Sequence, residues 1–187
     1  MNTGKTKTLV QISLIGALYT VLTLVSGPLA FGTAAGTVQL RLSEALTLLP
    51  LFSPFVGTWG VVFGCFLSNL VGFFMGTNVL GLLDAPIGTF ATLLAALLTC
   101  LIGKKVQNRA ARYLLAPIPP VLLNGLIVGW ELTFVFGTPF ALNFFSVAVG
   151  EAAVCYTMGI LLCMALSRNE LYKKLFADCR KSAYHAA

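Results

Sequence analysis

Long runs of apolar residues alternate with short polar or basic connections along most of the chain. Most of the runs approach the ~20 residues that an α-helix needs to cross a bilayer. The pattern predicts an all-α, polytopic membrane protein, a bundle of six transmembrane helices that forms a single domain over residues 1–187. The predicted spans are residues 9–28, 42–55, 57–75, 82–102, 116–136 and 142–166.

The second predicted span is short for a full crossing, and polar residues lie at its start. Arg41, Ser43 and Glu44 stand at its beginning, while Pro50 and Pro54 are expected to bend or end it. This pattern favours a segment that begins inside the protein rather than in lipid.

Composition and charge agree with a lipid environment. Hydrophobic residues make up 58% of the chain and charged residues only 10%, whereas soluble proteins carry roughly 25% charged residues. The net charge of +6 does not indicate a nucleic-acid partner, because the basic residues cluster in connections and tails, as they do in membrane proteins. Four cysteines in apolar runs are interpreted as small hydrophobic residues rather than metal ligands: Cys65, Cys100, Cys155 and Cys163.

The basic residues also predict an orientation. With the N-terminus inside, eleven of the twelve lie on the inner side, and Arg41 alone lies on the outer side. This asymmetry predicts a protein of the cell membrane with both termini in the cytoplasm and an even number of spans. The inner residues are Lys5, Lys7, Lys104, Lys105, Arg109, Arg112, Arg168, Lys173, Lys174, Arg180 and Lys181.

Two predicted helices carry faces of small residues. Glycine or serine recurs every fourth residue from Gly60 to Gly76, and this stripe favours close packing inside the bundle. A face of small or polar residues in the first span fits internal packing and contact with a partner subunit equally well. Its members are Ser13, Gly16, Ala17, Thr20, Thr23 and Gly27.

Ionisable residues inside the apolar runs are expensive to insert, at about 2.5–3.5 kcal/mol or more each, and usually face the bundle interior. In the predicted orientation all of them fall in the outer half of the membrane, with Glu131 roughly 8 Å and Glu151 roughly 14 Å below the outer end. An ion pair with Glu44, three residues on, is one arrangement open to Arg41. The alternative is an outer ring of charges in contact with water. The five residues are Arg41, Glu44, Asp84, Glu131 and Glu151.

Neighbouring polar and aromatic residues extend this candidate binding site. Asn124 shares a helical face with Glu131, and Asn69 and Gln39 offer further amides. Trp130 fits an interfacial aromatic belt as well as a ligand platform. Carboxylates, amides and aromatic rings together suit a planar molecule, neutral or cationic and rich in hydrogen-bond donors, rather than an anion.

The sequence contains no G-x-x-x-x-G-K-[ST] phosphate loop and no H-E-x-x-H or G-x-S-x-G motif. We therefore predict no enzyme activity, no cofactor, no catalytic residue and no metal site. A stand-alone proton-coupled carrier or channel for a small cationic or nucleobase-like solute is an alternative that uses the same acids. A structural membrane subunit without a ligand is another, and it predicts that the outer carboxylates tolerate substitution.

Four stretches resemble the QueT family of queuosine-precursor transporters, and the likeness extends from Leu14 to Leu166. Residues 39–50, QLRLSEALTLLP, look like the hallmark of that family. Glu131 lies two residues after the stretch 119–129. The other stretches are 81–84 (GLLD) with 88–96 (GTFATLLAA), 119–129 (PPVLLNGLIVG) and 150–156 (GEAAVCY).

The resemblance implies a substrate-binding S component of an energy-coupling-factor (ECF) transporter, which imports a micronutrient. Such a subunit docks on a transmembrane coupling protein and two cytoplasmic ATPases, which hydrolyse ATP. The implied substrate is a 7-deazaguanine base, in its aminomethyl or cyano form or as queuine. Relatives often carry an Ala-x-x-x-Ala docking face in the first helix, where this chain has Ser13 and Ala17. The implied site residues are Arg41, Glu44, Asn69, Asp84, Asn124, Trp130, Glu131 and Glu151.

Overall fold

The computed structural model describes residues 3–31 and 38–168. Within these ranges the chain is helical and contains no strand. Lys173, Lys174, Arg180 and Lys181 of the predicted inner cluster lie outside them. The α-helices are α1 (Thr3–Val25), α2 (Pro54–Phe74), α3 (Asp84–Lys105), α4 (Arg109–Leu115), α5 (Ile118–Phe136), α6 (Phe140–Val154) and α7 (Ile160–Arg168).

Within residues 3–31 and 38–168, five helical segments are long and apolar enough to cross a membrane. Large apolar side chains such as Leu14, Phe74 and Phe134 are 69–76% exposed on their outer surfaces, as expected for contact with lipid. These segments and their exposed faces identify a multi-pass membrane protein and agree with five of the six predicted spans. The segments are Gly4–Val25, Pro54–Phe74, Asp84–Lys105, Arg109–Phe136 and Phe140–Arg168.

The second predicted span forms a 3₁₀ helix instead, Leu42–Leu51, which we call the central segment. Ser43 and every later residue of this segment are buried, so it lies inside the bundle, as its polar start indicated. A 3₁₀ helix of ten residues is unusually long. Pro50 near its end lacks a backbone N–H, and α2 packs so closely that a Cβ on Gly57 would lie 2.8 Å from the backbone of Leu49 and Pro50.

Glycines allow α1 and α2 to pack closely together. A Cβ on Gly60 would lie 2.6 Å from the Ile15 side chain, and a Cβ on Gly64 would lie 2.5 Å from that of Tyr19. The glycine stripe therefore packs internally at these positions, as predicted. The small residues of α1 lie on two different faces: Gly16 faces α2, whereas Ser13 and Ala17 are exposed on the outside.

Helices α6 and α7 are joined by a π-helical turn, Cys155–Gly159. Such turns insert an extra residue into a helix and often lie at functional sites. This turn packs against the central segment, where a Cβ on Gly159 would lie 2.9 Å from the Leu48 side chain. The turn thus brings the residues after Glu151 against the segment that carries Glu44.

Candidate functional site

The structure buries all but one of the predicted site residues inside the bundle. Their exposed fractions lie between 0% and 7%, which is low for charged and amide side chains. Trp130 is the exception: it is 58% exposed and stacks on Phe134 at 5.8 Å on the outer surface of α5. The buried residues are Arg41, Glu44, Asn69, Asp84, Asn124, Glu131 and Glu151.

Arg41 forms its ion pair with Asp84, not with Glu44. Nη2 of Arg41 lies 3.2 Å from Oδ2 of Asp84, and the Asn78 amide donates to the same oxygen at 2.9 Å. The interpretation that Arg41 pairs with Glu44 was wrong. Arg41 has an extended backbone and precedes the central segment, so its side chain reaches α3 rather than the next turn of its own helix.

The residues before the central segment form a strap, residues 38–41, which is anchored to the short 3₁₀ helix after α1, Gly27–Ala30. Nε2 of Gln39 and Nε of Arg41 both donate to the Ala30 carbonyl, at 2.9 and 2.6 Å. The Arg41 guanidinium also lies 5.2 Å from the centre of the Phe31 ring, a cation–π contact. These contacts hold Arg41 and the strap in this position in the ligand-free protein.

Asn69 holds the start of α3. Its Nδ2 donates to the backbone carbonyl of Asp84 at 2.9 Å, and a Cβ on Gly88 would lie 2.9 Å from both the Asn69 amide and the Asp84 carboxylate. Gly88 therefore leaves room for this contact, and Asn69 positions the backbone that carries Asp84.

Glu44 receives its hydrogen bond from α1. The Tyr19 hydroxyl donates to Oε1 of Glu44, while Oε2 has no hydrogen-bond partner among the described residues. On the same side of the central segment, Thr23 donates to the Ser43 hydroxyl at 2.7 Å. Tyr19 and Thr23 of α1 therefore bind the central segment from within the bundle.

Glu151 pairs with an amide of the neighbouring helix. Nδ2 of Asn124 donates to Oε1 of Glu151 at 2.5 Å, a short distance for an amide and a carboxylate. The Cys155 thiol lies 3.8 Å from Oε2 of Glu151 and 3.4 Å from the Glu44 carbonyl. Cys155 therefore links α6 to the central segment and is more than the small hydrophobic residue that the sequence suggested.

A small cavity lies between the strap and α5 and α6. It admits a sphere the size of a water molecule and little more. Its wall contains the charged or amide side chains of three separate parts of the chain. The lining residues are Gln39, Arg41, Asn124, Val128 and Glu151.

Glu131 lies one helical turn beyond Val128 on α5. Neither of its carboxylate oxygens has a hydrogen-bond partner among the residues that the structure describes. It lies within electrostatic range of Asp84 and Arg41. The four predicted acids therefore differ in their surroundings, since the other three each accept a hydrogen bond from a buried donor.

Sequence reasoning missed three contributors to this cluster: Tyr19, Asn78 and Cys155. A tyrosine in the middle of an apolar helix is a signal for a buried polar partner, because its hydroxyl needs one. Asn78 stands in a short connection and offered no comparable signal.

A model of the QueT transporter family matches residues 9–168. The chain belongs to the QueT transporter family. It is similar to the queuosine precursor transporter QueT of Lactococcus lactis subsp. cremoris (strain MG1363), with 29% identity over 161 residues, which cover 82% of this chain and 88% of that protein. No solved structure matches the chain.

In this member of the QueT family, the buried cluster offers more acceptors than donors. One guanidinium faces four carboxyl groups, and one of those carboxyl groups neutralises it directly. Among the described residues no group of three or more His, Cys, Asp or Glu side chains has the arrangement of a metal site. The arrangement can therefore accept hydrogen bonds from a neutral or cationic molecule and disfavours an anion.

Proposed function

We propose that this QueT family member is the membrane-embedded substrate-binding subunit of an ECF-type transporter that imports a queuosine precursor, a 7-deazaguanine base. The observation that carries the proposal is the Asn124–Glu151 pair, which lines a cavity together with Gln39 and Arg41. The name of the Lactococcus lactis relative supports the substrate class.

The chemistry of the pair suits such a base. A guanine-like edge presents adjacent N–H donors, which one carboxylate accepts as a bidentate pair. Glu151 supplies this carboxylate, and Asn124 supplies both a donor and an acceptor for the remaining polar atoms of the ring. Arg41, already neutralised by Asp84, offers donors without adding net charge.

A bicyclic base is much larger than the water-sized cavity, so binding requires the cavity to widen. The strap forms one wall of the cavity, and it is a connecting segment, whereas the other walls belong to the long helices α5 and α6. We therefore expect residues 38–41 to move outward when the base enters, while α5 and α6 keep their positions.

Transport energy then comes from partner chains, a transmembrane coupling protein and two cytoplasmic ATPases, because this sequence has no phosphate loop of its own. The proposed orientation has both termini in the cytoplasm, which places the basic ends of α1 and α3 on the inner side. The exposed face of α1 with Ser13 and Ala17 is the proposed contact with the coupling protein.

Calorimetric titration of the purified chain with 7-deazaguanine bases tests the proposed substrate. We expect Glu151→Gln to weaken binding by about tenfold or more, because a hydrogen bond to a charged group contributes about 1.5–3 kcal/mol. The matched control is Phe134→Leu, at a position 75% exposed to lipid. Absence of binding to the unmodified chain contradicts the substrate class, and retained affinity in Glu151→Gln removes Glu151 from the site.

The docking face is tested by Ala17→Trp. The large side chain is expected to abolish uptake by vesicles that contain the coupling protein and both ATPases, because it separates two closely packed helices, while base binding stays within twofold. Leu97→Trp, at an exposed position of α3, serves as the control. Normal uptake by the Ala17 variant would exclude this face, and uptake by the chain alone would favour a stand-alone carrier.

A further inference from the structure

Glu131 differs from the other acids of the cluster in having no donor. Arg41 and Asn78 donate to Asp84, Tyr19 donates to Glu44, and Asn124 donates to Glu151. Within the described part of the chain both oxygens of Glu131 lack a hydrogen-bond partner, although the side chain is only 2% exposed. A carboxylate buried in this way is unfavourable unless a proton or a cation matches it.

The side chain belongs to the face of α5 that meets the cavity. Asn124 and Val128 line the cavity, and Glu131 follows them at the spacing that keeps residues on one side of a helix. It therefore extends the polar wall by one turn toward the end of α5 that lies outside in the proposed orientation.

Two buried donors of this part of the bundle, the Arg41 guanidinium and the Asn143 amide, already have other partners. The Arg41 guanidinium bonds Asp84 at 3.2 Å. On α6, the Asn143 amide donates to the hydroxyls of Thr133 and Thr138 at 2.9 and 2.7 Å. The adjacent residues Val128 and Leu132 belong to an apolar cluster with Leu80, Ala91 and Val147.

We infer that Glu131 is the carboxylate that receives a cationic substituent of the ligand, whereas the Asn124–Glu151 pair binds the edge of its neutral ring. The inference rests on the proposed substrate class. It assigns the ring and the substituent of that ligand to two different parts of the site. A primary ammonium group supplies three donors and one positive charge, and Glu131 has two free acceptor oxygens and an unmatched charge. Glu131 thereby determines selectivity between charged and uncharged forms of the same base.

Two bases with the same ring and different substituents test this assignment: 7-aminomethyl-7-deazaguanine, which is cationic, and 7-cyano-7-deazaguanine, which is neutral. Calorimetric titration of the unmodified chain, Glu131→Gln and the Phe134→Leu control would give both affinities for each protein. We expect Glu131→Gln to weaken the cationic base by about 10- to 100-fold, as for loss of a hydrogen bond to a charged group. The neutral base should stay within twofold.

The thermal midpoint of the ligand-free protein gives a second readout. Glutamine has nearly the same shape as glutamate and no charge to bury, so Glu131→Gln is expected to unfold at the same temperature as the unmodified chain or higher. Should that variant fail to fold, Glu131→Asp shortens the carboxylate by one methylene and should also weaken only the cationic base.

Equal weakening of both bases, or of neither, overturns the assignment of Glu131 to the cationic substituent. Such a result leaves the proposed function intact as long as the unmodified chain binds either base. If the unmodified chain binds neither base, the proposed function fails, and the assignment fails with it.

Discussion

Replacing Arg41 by glutamine is expected to destabilise the bundle by about 3–5 kcal/mol, the range measured when one partner of a buried ion pair is removed. The side chains of Arg41 and Asp84 are 7% and 0% exposed, so water cannot replace the lost charge. The Asn78 amide would remain bonded to the carboxylate but carries no charge. The free energy of unfolding, measured by denaturant titration in detergent micelles, checks the effect.

A second substitution separates the ion pair from other roles of Arg41. Asp84→Asn removes the charge that Arg41→Gln leaves unmatched, so the double variant is expected to recover at least half of the lost stability. Lys104→Gln, which removes an exposed positive charge at the end of α3, is the control and should change stability by less than ~0.5 kcal/mol. A double variant as unstable as Arg41→Gln alone would show that Arg41 acts through Ala30 and Phe31 instead.

Gly150→Ala is expected to weaken binding of the base by at least about tenfold while the protein still folds. A Cβ at this position would overlap the Gln39 carbonyl oxygen and lie 2.8 Å from the Gln39 carbonyl carbon. Both are backbone atoms, so the strap itself must shift, and overpacking of this kind typically costs about 1–3 kcal/mol. Gln39 and Glu151, the residue after Gly150, both line the cavity, so the shift changes the site directly.

Titration calorimetry and thermal unfolding of the same preparation measure the two effects. Gly4→Ala is the matched control, because a Cβ there meets no atom within 4 Å. The Leu40 N–H donates to the Leu29 carbonyl at 2.9 Å and so anchors the strap to the short 3₁₀ helix after α1, Gly27–Ala30. A shifted strap should therefore also reduce stability. Unchanged affinity in Gly150→Ala would mean that the strap takes no part in binding.

The sequence alone predicted the membrane class and the burial of the polar residues, and five of its six predicted spans agree with long apolar helices. These properties follow from length, hydropathy and the energy of burying charge, which act along the chain and need no knowledge of its path. The glycine stripe of α2 also indicated close packing correctly at Gly60 and Gly64. The role of the cluster as a substrate site stays a prediction.

Partners were harder to predict than burial. The pair between Arg41 and Asp84 joins residues 43 positions apart, and Glu44 finds Tyr19 at a separation of 25. Spacing along one helix cannot reveal such contacts, because they depend on how α1, α3 and the central segment pack. Spacing does account for Trp130, which lies about 100° around α5 from its neighbour Glu131 and is 58% exposed, in agreement with the aromatic-belt alternative.

The 3₁₀ conformation of the central segment increases the distance that its ten residues span. Ten residues of 3₁₀ helix rise about 20 Å, whereas the same residues in an α-helix rise about 15 Å. With flanking residues, this stretched form covers most of a hydrocarbon core of about 30 Å. If only segments of ~20 apolar residues crossed the membrane, there would be five crossings, and the two termini would lie on opposite sides of it. In the proposed orientation, with both termini in the cytoplasm, the central segment would be the sixth crossing, made from about half the usual number of residues.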